Sequence, residues 1–323
     1  MNDGALLDVD GLTVGFNTEH GFIRVVEDVS FAIAPGETLG LVGESGCGKS
    51  VTAQTVMRLL PSPPSRIDAG RILFDGENLA AVPERRMRRI RGDRIGMVFQ
   101  EPMTSLNPTQ RIGAQIAEPL MLHRAMGHAA ARAEARRVLE QVGIGNAERR
   151  LDQYPHELSG GLRQRVMIAM AIICGPKLLI ADEPTTALDV TIQAQIMALL
   201  QQLQKDLGLA ILLITHDLGM VAELCRTIAV MYAGRIVETG PASAVFKGPR
   251  HPYTAGLLAS SPRRVSKGER LPSIPGLVPP PGLRGIGCSF ADRCSRVTER
   301  CRTELPRLAA VESHAAACWN PVS

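Results

Sequence analysis

Thr38-Leu39-Gly40-Leu41-Val42-Gly43-Glu44-Ser45-Gly46-Cys47-Gly48-Lys49-Ser50 runs an apolar segment straight into a glycine-rich turn that ends in Lys-Ser. A short apolar run bounded by glycine reads as a buried strand. Gly43, Gly46 and Gly48 let the backbone turn its N–H groups inward, the arrangement that cradles phosphate oxygens. Lys49 adds positive charge beside the β- and γ-phosphates, and Ser50 offers a hydroxyl to Mg²⁺. The expected nucleotide contacts are therefore Gly43, Glu44, Ser45, Gly46, Cys47, Gly48, Lys49, Ser50 and Val51. A G-x4-G-K-S string arises by chance in some chains, but this one has the required strand before it and a helix after it, from Gly48 to about Leu60, closed by Pro61. Cys47 sits at that helix's N-terminus, where a thiolate is favoured.

Outward from this loop the pattern alternates. Strands are expected at 6–14, 25–33, 38–43, 94–99, 178–182, 210–215, 227–232 and 235–239, with a turn at Ala34-Pro35-Gly36. Residues 110–150 have a helical pattern rich in Ala, Arg, Glu and Leu, and further helices follow Ser159, at 190–205 and from 217. The helix after Ser159 is apolar nearly all round, which predicts burial. Alternating strands and helices imply an α/β fold. With 323 residues the chain has room for one large domain and a smaller appendage. Hydrophobic residues make up 45% and aromatics only 3%, so Leu, Ile, Val, Met and Ala must fill the core.

A net charge of +4 is too mild to argue for nucleic acid. The arginine run at 85–94 reads as a solvated helix face, with no aromatic platform for bases. The longest apolar run, Val166 to Cys174, falls short of the roughly 18 residues needed to span a bilayer. The start, MNDGALLDVDG, lacks a signal peptide's basic head and apolar centre, which implies a cytosolic protein.

A second glycine-rich turn, Glu157-Leu158-Ser159-Gly160-Gly161-Leu162-Arg163-Gln164-Arg165, also enters a helix. One such turn suffices for one polyphosphate, so the second points to a nucleotide held by another copy of the domain. Leu178-Leu179-Ile180-Ala181-Asp182-Glu183 is an apolar strand ending in two carboxylates. Asp182 is placed to hold Mg²⁺, directly or through water, and Glu183 to polarise an attacking water as general base. Gln100 and His216 also end strands, where the ligand crevice of such sheets lies. Gln100 would sense water and Mg²⁺, and His216 the γ-phosphate; each could equally be a plain turn residue.

Taken together, GESGCGKS at 43–50, Gln100, LSGG at 158–161, LLIADE at 178–183, Ala187-Leu188-Asp189 and His216 resemble the ATP-binding-cassette (ABC) ATPases over about residues 6–240. QEPMTSLNPTQRIGAQIAEPL from 100, IADEPTTALDVTIQAQI from 180 and HPYT at 251 are similar to the ATPase subunits of dipeptide/oligopeptide importers, a pattern shared with nickel importers. The resemblance implies an α/β P-loop ATPase with a mixed β core, an antiparallel β subdomain and a helical subdomain inserted at about 105–175. It implies a nucleotide-binding domain over 1–248 and an oligopeptide-transporter-type extension over 249–323. It implies that Phe16 stacks on adenine, with Phe22 the alternative, and that Asp189 joins the nucleotide contacts. Ser159, Gly160 and Gly161 would face the γ-phosphate held by a second ABC ATPase subunit, a homologous partner in this subfamily. Residues 101–125 would meet one of two membrane permeases, served by an extracytoplasmic binding protein, placing the chain peripherally on the cytoplasmic face. Two departures, Leu162 and Gly175, remove no catalytic group.

The tail has its own pattern. Composition shifts after about 248 into a Pro- and Gly-rich connection, and Cys288, Cys294, Cys301 and Cys318 crowd the end. Their spacing, C-x5-C-x6-C-x16-C, lacks the tight pair of structural zinc sites and matches no ferredoxin run. Zinc, with His314 as a substitute ligand, or no metal stay open; the resemblance implies a [4Fe–4S] cluster on the four thiolates.

Overall fold

Alternating or continuous apolar runs set the strands. In a computed structural model describing residues 4–101, 105–186, 188–260, 272–311 and 314–322, they are β1 (Leu7–Thr18), β2 (Gly21–Ile33), β3 (Thr38–Val42), β4 (Ser65–Phe74), β5 (Glu77–Asn78), β6 (Ile95–Val98), β7 (Leu178–Asp182), β8 (Ala210–Thr215), β9 (Thr227–Tyr232), β10 (Arg235–Pro241), β11 (Ala309–Val311) and β12 (His314–Ala316). The chain divides into two compact units, one of residues 1–81 with 213–323 and the other of residues 82–212. β8 begins in the second unit and ends in the first.

The first unit holds an antiparallel sheet in the order β2-β1-β4-β5. It also holds a mixed run, β11-β12-β10-β9-β3, antiparallel as far as β9 and then parallel from β9 to β3. β3 is buried at all five residues, as its unbroken apolar run predicts. Leu7, Val9, Leu12 and Val14 of β1 point inward and are fully or almost fully buried.

In the second unit β6 and β7 run parallel, with Ile95 opposite Leu178 and Val98 opposite Ala181. The helices Ile112–Arg124, His128–Gln141, Ala147–Leu151, Gly160–Ile172 and Val190–Leu207 belong to it. The helix after Ser159 buries Gln164, Val166 through Ala169, Ala171 and Ile172, as its apolar circumference requires. The arginine run forms the short helix Glu84–Ile90, which buries Met87 and Ile90 and leaves its arginines outward, Arg88 and Arg91 paired with Glu84.

Three of the departures from expectation have a local physical reason. β4 was hidden because Arg66, Asp68 and Arg71 interrupt its apolar pattern; they lie on its solvent side while Ile72 and Phe74 are buried. The helix after the phosphate loop ends at Val56 rather than near Leu60, and Arg58 takes a φ of 50°, ending it before the prolines act. The tail adds β12 to β10 through Glu238↔Ala316 and Thr239↔Ala315, a pairing too short to signal itself in sequence.

Candidate nucleotide site

Within the first unit, β3 leads straight into the phosphate loop. Gly43, at its end, has a φ of 155°, and a Cβ there would lie 2.2 Å from the Met231 carbonyl oxygen, so only glycine fits. Lys49 is 4% exposed, and its Nζ donates to the carbonyls of Gly43 at 2.8 Å and Glu44 at 3.0 Å. The loop thus satisfies its buried ammonium with its own backbone, as a buried charge requires. The Gly234 N–H donates to the Cys47 carbonyl at 2.8 Å, tying the loop to the β9–β10 turn. Ser45 and Gly46 stand exposed at the tip, and Ser50 and Val51 lie in the first turn of the helix Lys49–Val56. Gly48, the N-cap, has a φ of 109°.

Cys47 departs from expectation. Its side chain is fully buried, and burial pushes the thiol up despite the neighbouring Lys49 ammonium. Burial thus opposes the thiolate that a helix N-terminus alone favours.

Phe16 is half-buried on β1, paired with Ile23 of β2 and Ser65 of β4. The guanidinium of Arg66 lies 4.0 Å from the centre of the Phe22 ring, which covers one face of that alternative. His216 is exposed directly after β8. The backbone beyond it is fixed, since Asp217 N–H donates to Thr215 Oγ1 at 3.0 Å and the Asp217 carboxylate caps the next helix.

The second unit holds the carboxylates. Asp182 ends β7 at 3% exposure. Glu183, 8% exposed, has a φ of 46°, a left-handed conformation that costs a non-glycine residue about 1–3 kcal/mol. Its Oε2 accepts from Gln100 Nε2 at 3.1 Å and from Thr186 Oγ1 at 2.9 Å. The strained backbone and two donors aim one carboxylate, and the hydrogen bond brings Gln100 beside Glu183. Neither the strain nor the role of Thr186 is visible in the sequence.

Ser159 is the N-cap of the helix Gly160–Ile172, exposed, with no side-chain capping bond. The turn before it is locked by the Tyr154 N–H on Glu157 Oε2 at 2.7 Å, and Arg163 Nε donates to the Pro155 carbonyl at 2.7 Å. A Cβ on Gly161 would meet Ile192 Cγ2 at 2.8 Å, so this glycine serves helix packing as well as the turn. Asp189, by contrast, caps its helix, accepting from Ile192 N–H at 3.0 Å. Ala187 and residues 102–104, within two of the quoted motifs, lie outside the described residues.

Cys288, Cys294, Cys301 and Cys318 all line one cavity in the first unit, but its volume is about 10 Å³. That is room for one water at most. Among the described residues no three His, Cys, Asp or Glu side chains are gathered as ligands of a metal ion. The expected [4Fe–4S] cluster therefore finds no support in this geometry. The sulfurs instead bond within the tail: Arg296 N–H donates to Cys294 Sγ at 3.4 Å and Asn320 Nδ2 to Cys301 Sγ at 3.6 Å. Burial raises the thiols of Cys294 and Cys318 and pushes Cys288 up to about 11, which favours the neutral form. His314, the alternative zinc ligand, is buried with Nε2 2.7 Å from Glu238 Oε1.

Two residues of the C-terminal region, outside every quoted nucleotide motif, hold Glu44 of the phosphate loop. Tyr253 Oη accepts the Glu44 N–H at 2.8 Å, and Arg293 forms an ion pair with the Glu44 carboxylate. HPYT marked residue 253 as a family feature, but nothing in sequence tied it to residue 44.

Comparison with known proteins places the chain's family. Residues 26–186 match the family described as ABC transporter, and residues 237–301 match the oligopeptide/dipeptide transporter C-terminal region. A protein of Brucella abortus (strain 2308), named as a putative peptide import ATP-binding protein, is 53% identical over 100% of both chains. A probable peptide ABC transporter ATP-binding protein of Sinorhizobium fredii is 52% identical over 98% of this chain and 95% of its own. Among solved structures, a dimeric ATP-binding cassette in a post-hydrolysis state with ADP and Pi superimposes with a TM-score of 0.66 at 26% identity, covering 73% of this chain and 98% of that one.

Proposed function

The chain belongs to the ABC transporter ATPases, and we propose that it is the ATP-hydrolysing subunit of an importer for dipeptides and oligopeptides. The observation that carries the peptide reading is the C-terminal match at 237–301, in a chain 53% identical end to end to a protein named for peptide import. A nickel importer of the same subfamily is the alternative, and no comparison above favours it.

The chemistry assigned to each residue follows from its surroundings. In the first unit the loop's N–H groups and Lys49 hold phosphate oxygens, Phe16 offers a face to adenine, and His216 reaches the γ-phosphate. Within the first unit Ser50 offers a hydroxyl suited to Mg²⁺; within the second, Asp182 and Gln100 offer oxygens of the same hard kind. Mg²⁺, when bound, neutralises charge on the β- and γ-phosphates. Glu183 takes the proton of the attacking water. The donors from Gln100 and Thr186 fix its carboxylate before substrate arrives, which lowers the cost of ordering it.

Ser159, Gly160 and Gly161 serve the nucleotide of a second, homologous ATPase subunit. Their support is an exposed helix start whose serine does not cap its own helix. Membrane permeases would dock on the surface around the helix Ile112–Arg124, where Leu122 is 73% exposed. No helix of the described residues is long and apolar enough to cross a membrane, so attachment at the cytoplasmic face would run through those permeases. The extracytoplasmic binding protein would reach this chain only through them.

Vesicles carrying the permeases, the partner ATPase and the binding protein provide the test. ATP should drive uptake of labelled oligopeptide but not of Ni²⁺. A Glu183→Gln subunit should still bind ATP while turnover falls about 10³-fold, within the range for losing a general base. Uptake of Ni²⁺ alone would overturn the peptide reading, and unchanged hydrolysis in Glu183→Gln would overturn the assigned base.

A further inference from the structure

Arg293 stands in the C-terminal extension, 249 residues along the chain from Glu44 of the phosphate loop. The two side chains meet in a forked ion pair, Nη1 to Oε2 at 2.6 Å and Nη2 to Oε1 at 2.9 Å. The guanidinium side is 5% exposed and the carboxylate side 30%. The remaining donors of Arg293 are also used: Nε donates to the Pro275 carbonyl at 2.7 Å and Nη2 to the Ile274 carbonyl at 3.3 Å. The rings of Tyr232 and Phe290 flank the guanidinium, 5.7 and 5.9 Å from their centres. From the other side Tyr253, fully buried against those two rings, accepts the Glu44 N–H. Both the charge and the amide of Glu44 are thus held by residues beyond the loop.

The loop's task makes this arrangement consequential. Glu44 carries the same sign of charge as the phosphates the loop takes up. The Lys49 ammonium rests on the carbonyl of Glu44 itself, so a released carboxylate would have a cation within reach. An exposed Arg–Glu pair contributes little, but a forked pair with a buried guanidinium fixes geometry as well as charge. Removing the arginine would free a carboxylate beside the phosphate position and loosen the strand-to-helix turn at its first residue.

We propose that Arg293 is a positioning residue for the triphosphate: by holding Glu44, the C-terminal extension keeps the phosphate loop's one carboxylate away from the bound phosphates. The proposal rests on the nucleotide reading of residues 43–50. It makes the extension part of the ATP site in the chain's own first unit, in addition to any transporter-specific role.

Binding of a fluorescent ATP analogue to the purified full-length chain tests it. Arg293→Ala should raise Kd about tenfold. Arg293→Lys, which keeps the charge and loses the fork, should raise it by about threefold. The double variant Arg293→Ala/Glu44→Gln should recover most of the loss, because the stray carboxylate is gone. A merely structural contact would show no such recovery, since the ion pair is broken in both variants. A folded Arg293→Ala protein with Kd within twofold of the parent overturns the proposal, as does a loss that Glu44→Gln fails to relieve. If Arg293→Ala does not fold, Arg293→Lys with and without Glu44→Gln decides between the same two outcomes. Lys49→Ala separates the two readings: if it too retains ATP affinity, the nucleotide reading of the loop is what fails.

Discussion

The two glycine-rich turns of this chain look alike in sequence and are built in opposite ways. The phosphate loop is wired inward. Lys49 is spent on loop carbonyls, the Cys47 carbonyl on Gly234, the Glu44 N–H on Tyr253 and the Glu44 carboxylate on Arg293. The turn at Ser159 is fixed from behind, by Glu157 and Arg163, and its leading serine and Gly160 are exposed. A loop that must organise a polyphosphate before any partner arrives needs internal partners. A turn that acts on a nucleotide held elsewhere needs its donors left outward. The contrast supports giving each turn a different nucleotide without any appeal to motif names.

The largest effect expected from this contrast comes from charge at the outward turn. Ser159→Arg puts a long cation over the helix N-terminus, where the free N–H groups favour anions instead. ATP hydrolysis by the assembled pair should fall at least about 100-fold, the scale of losing a transition-state donor. Binding of ATP to the isolated chain should stay as in the parent. A comparable loss of ATP binding in the isolated chain would erase the distinction between the turns.

A smaller effect separates the glycines. Gly43→Ala pushes a methyl group against the Met231 carbonyl in backbone that a side chain rarely adopts, and should cost about 3 kcal/mol of stability. Gly160→Ala meets only Leu188 Cδ2 at 3.4 Å, an ordinary contact, and gains helix propensity of up to about 1 kcal/mol. Its stability should therefore hold or rise while coupled turnover drops. Denaturant unfolding of the two variants, with ATPase assays beside it, checks both halves.

The same contrast explains what could be read in advance. β3, β7, β8 and β9 were legible because unbroken apolar runs admit few other structures; β3 and β8 each end where a motif begins, and β7 lies within one. Local spacing also placed Gln100 and Glu183 at the ends of β6 and β7, where they meet. What stayed hidden depends on long-range geometry. The positive φ of Glu183, the burial that opposes a Cys47 thiolate and the Arg293–Glu44 pair each involve contacts that no local pattern encodes. The four tail cysteines stand differently: their local count suggested a cluster, and although they line one small cavity, no metal-ligand group is gathered among the described residues, so that reading is left without support.

The finest test of the comparison concerns helix starts within the second unit. Ser159 and Asp189 both sit at N-caps with extended backbone, φ −67° and −69°. Asp189 spends its carboxylate on the Ile192 N–H, whereas the Ser159 hydroxyl makes no capping bond. A made cap is worth about 1 kcal/mol, and an unmade one nothing. Asp189→Ala should therefore lower the unfolding free energy by about 1 kcal/mol, and Ser159→Ala by less than about 0.3 kcal/mol. Turnover should rank them the other way, with Ser159→Ala the more impaired in the assembled pair. A serine at a helix start that does not stabilise its own helix, yet whose loss slows hydrolysis, has its hydrogen-bonding capacity committed to a ligand outside its own fold. Equal stability losses in the two variants would instead make Ser159 an ordinary cap and remove the reason to assign it to a partner's nucleotide.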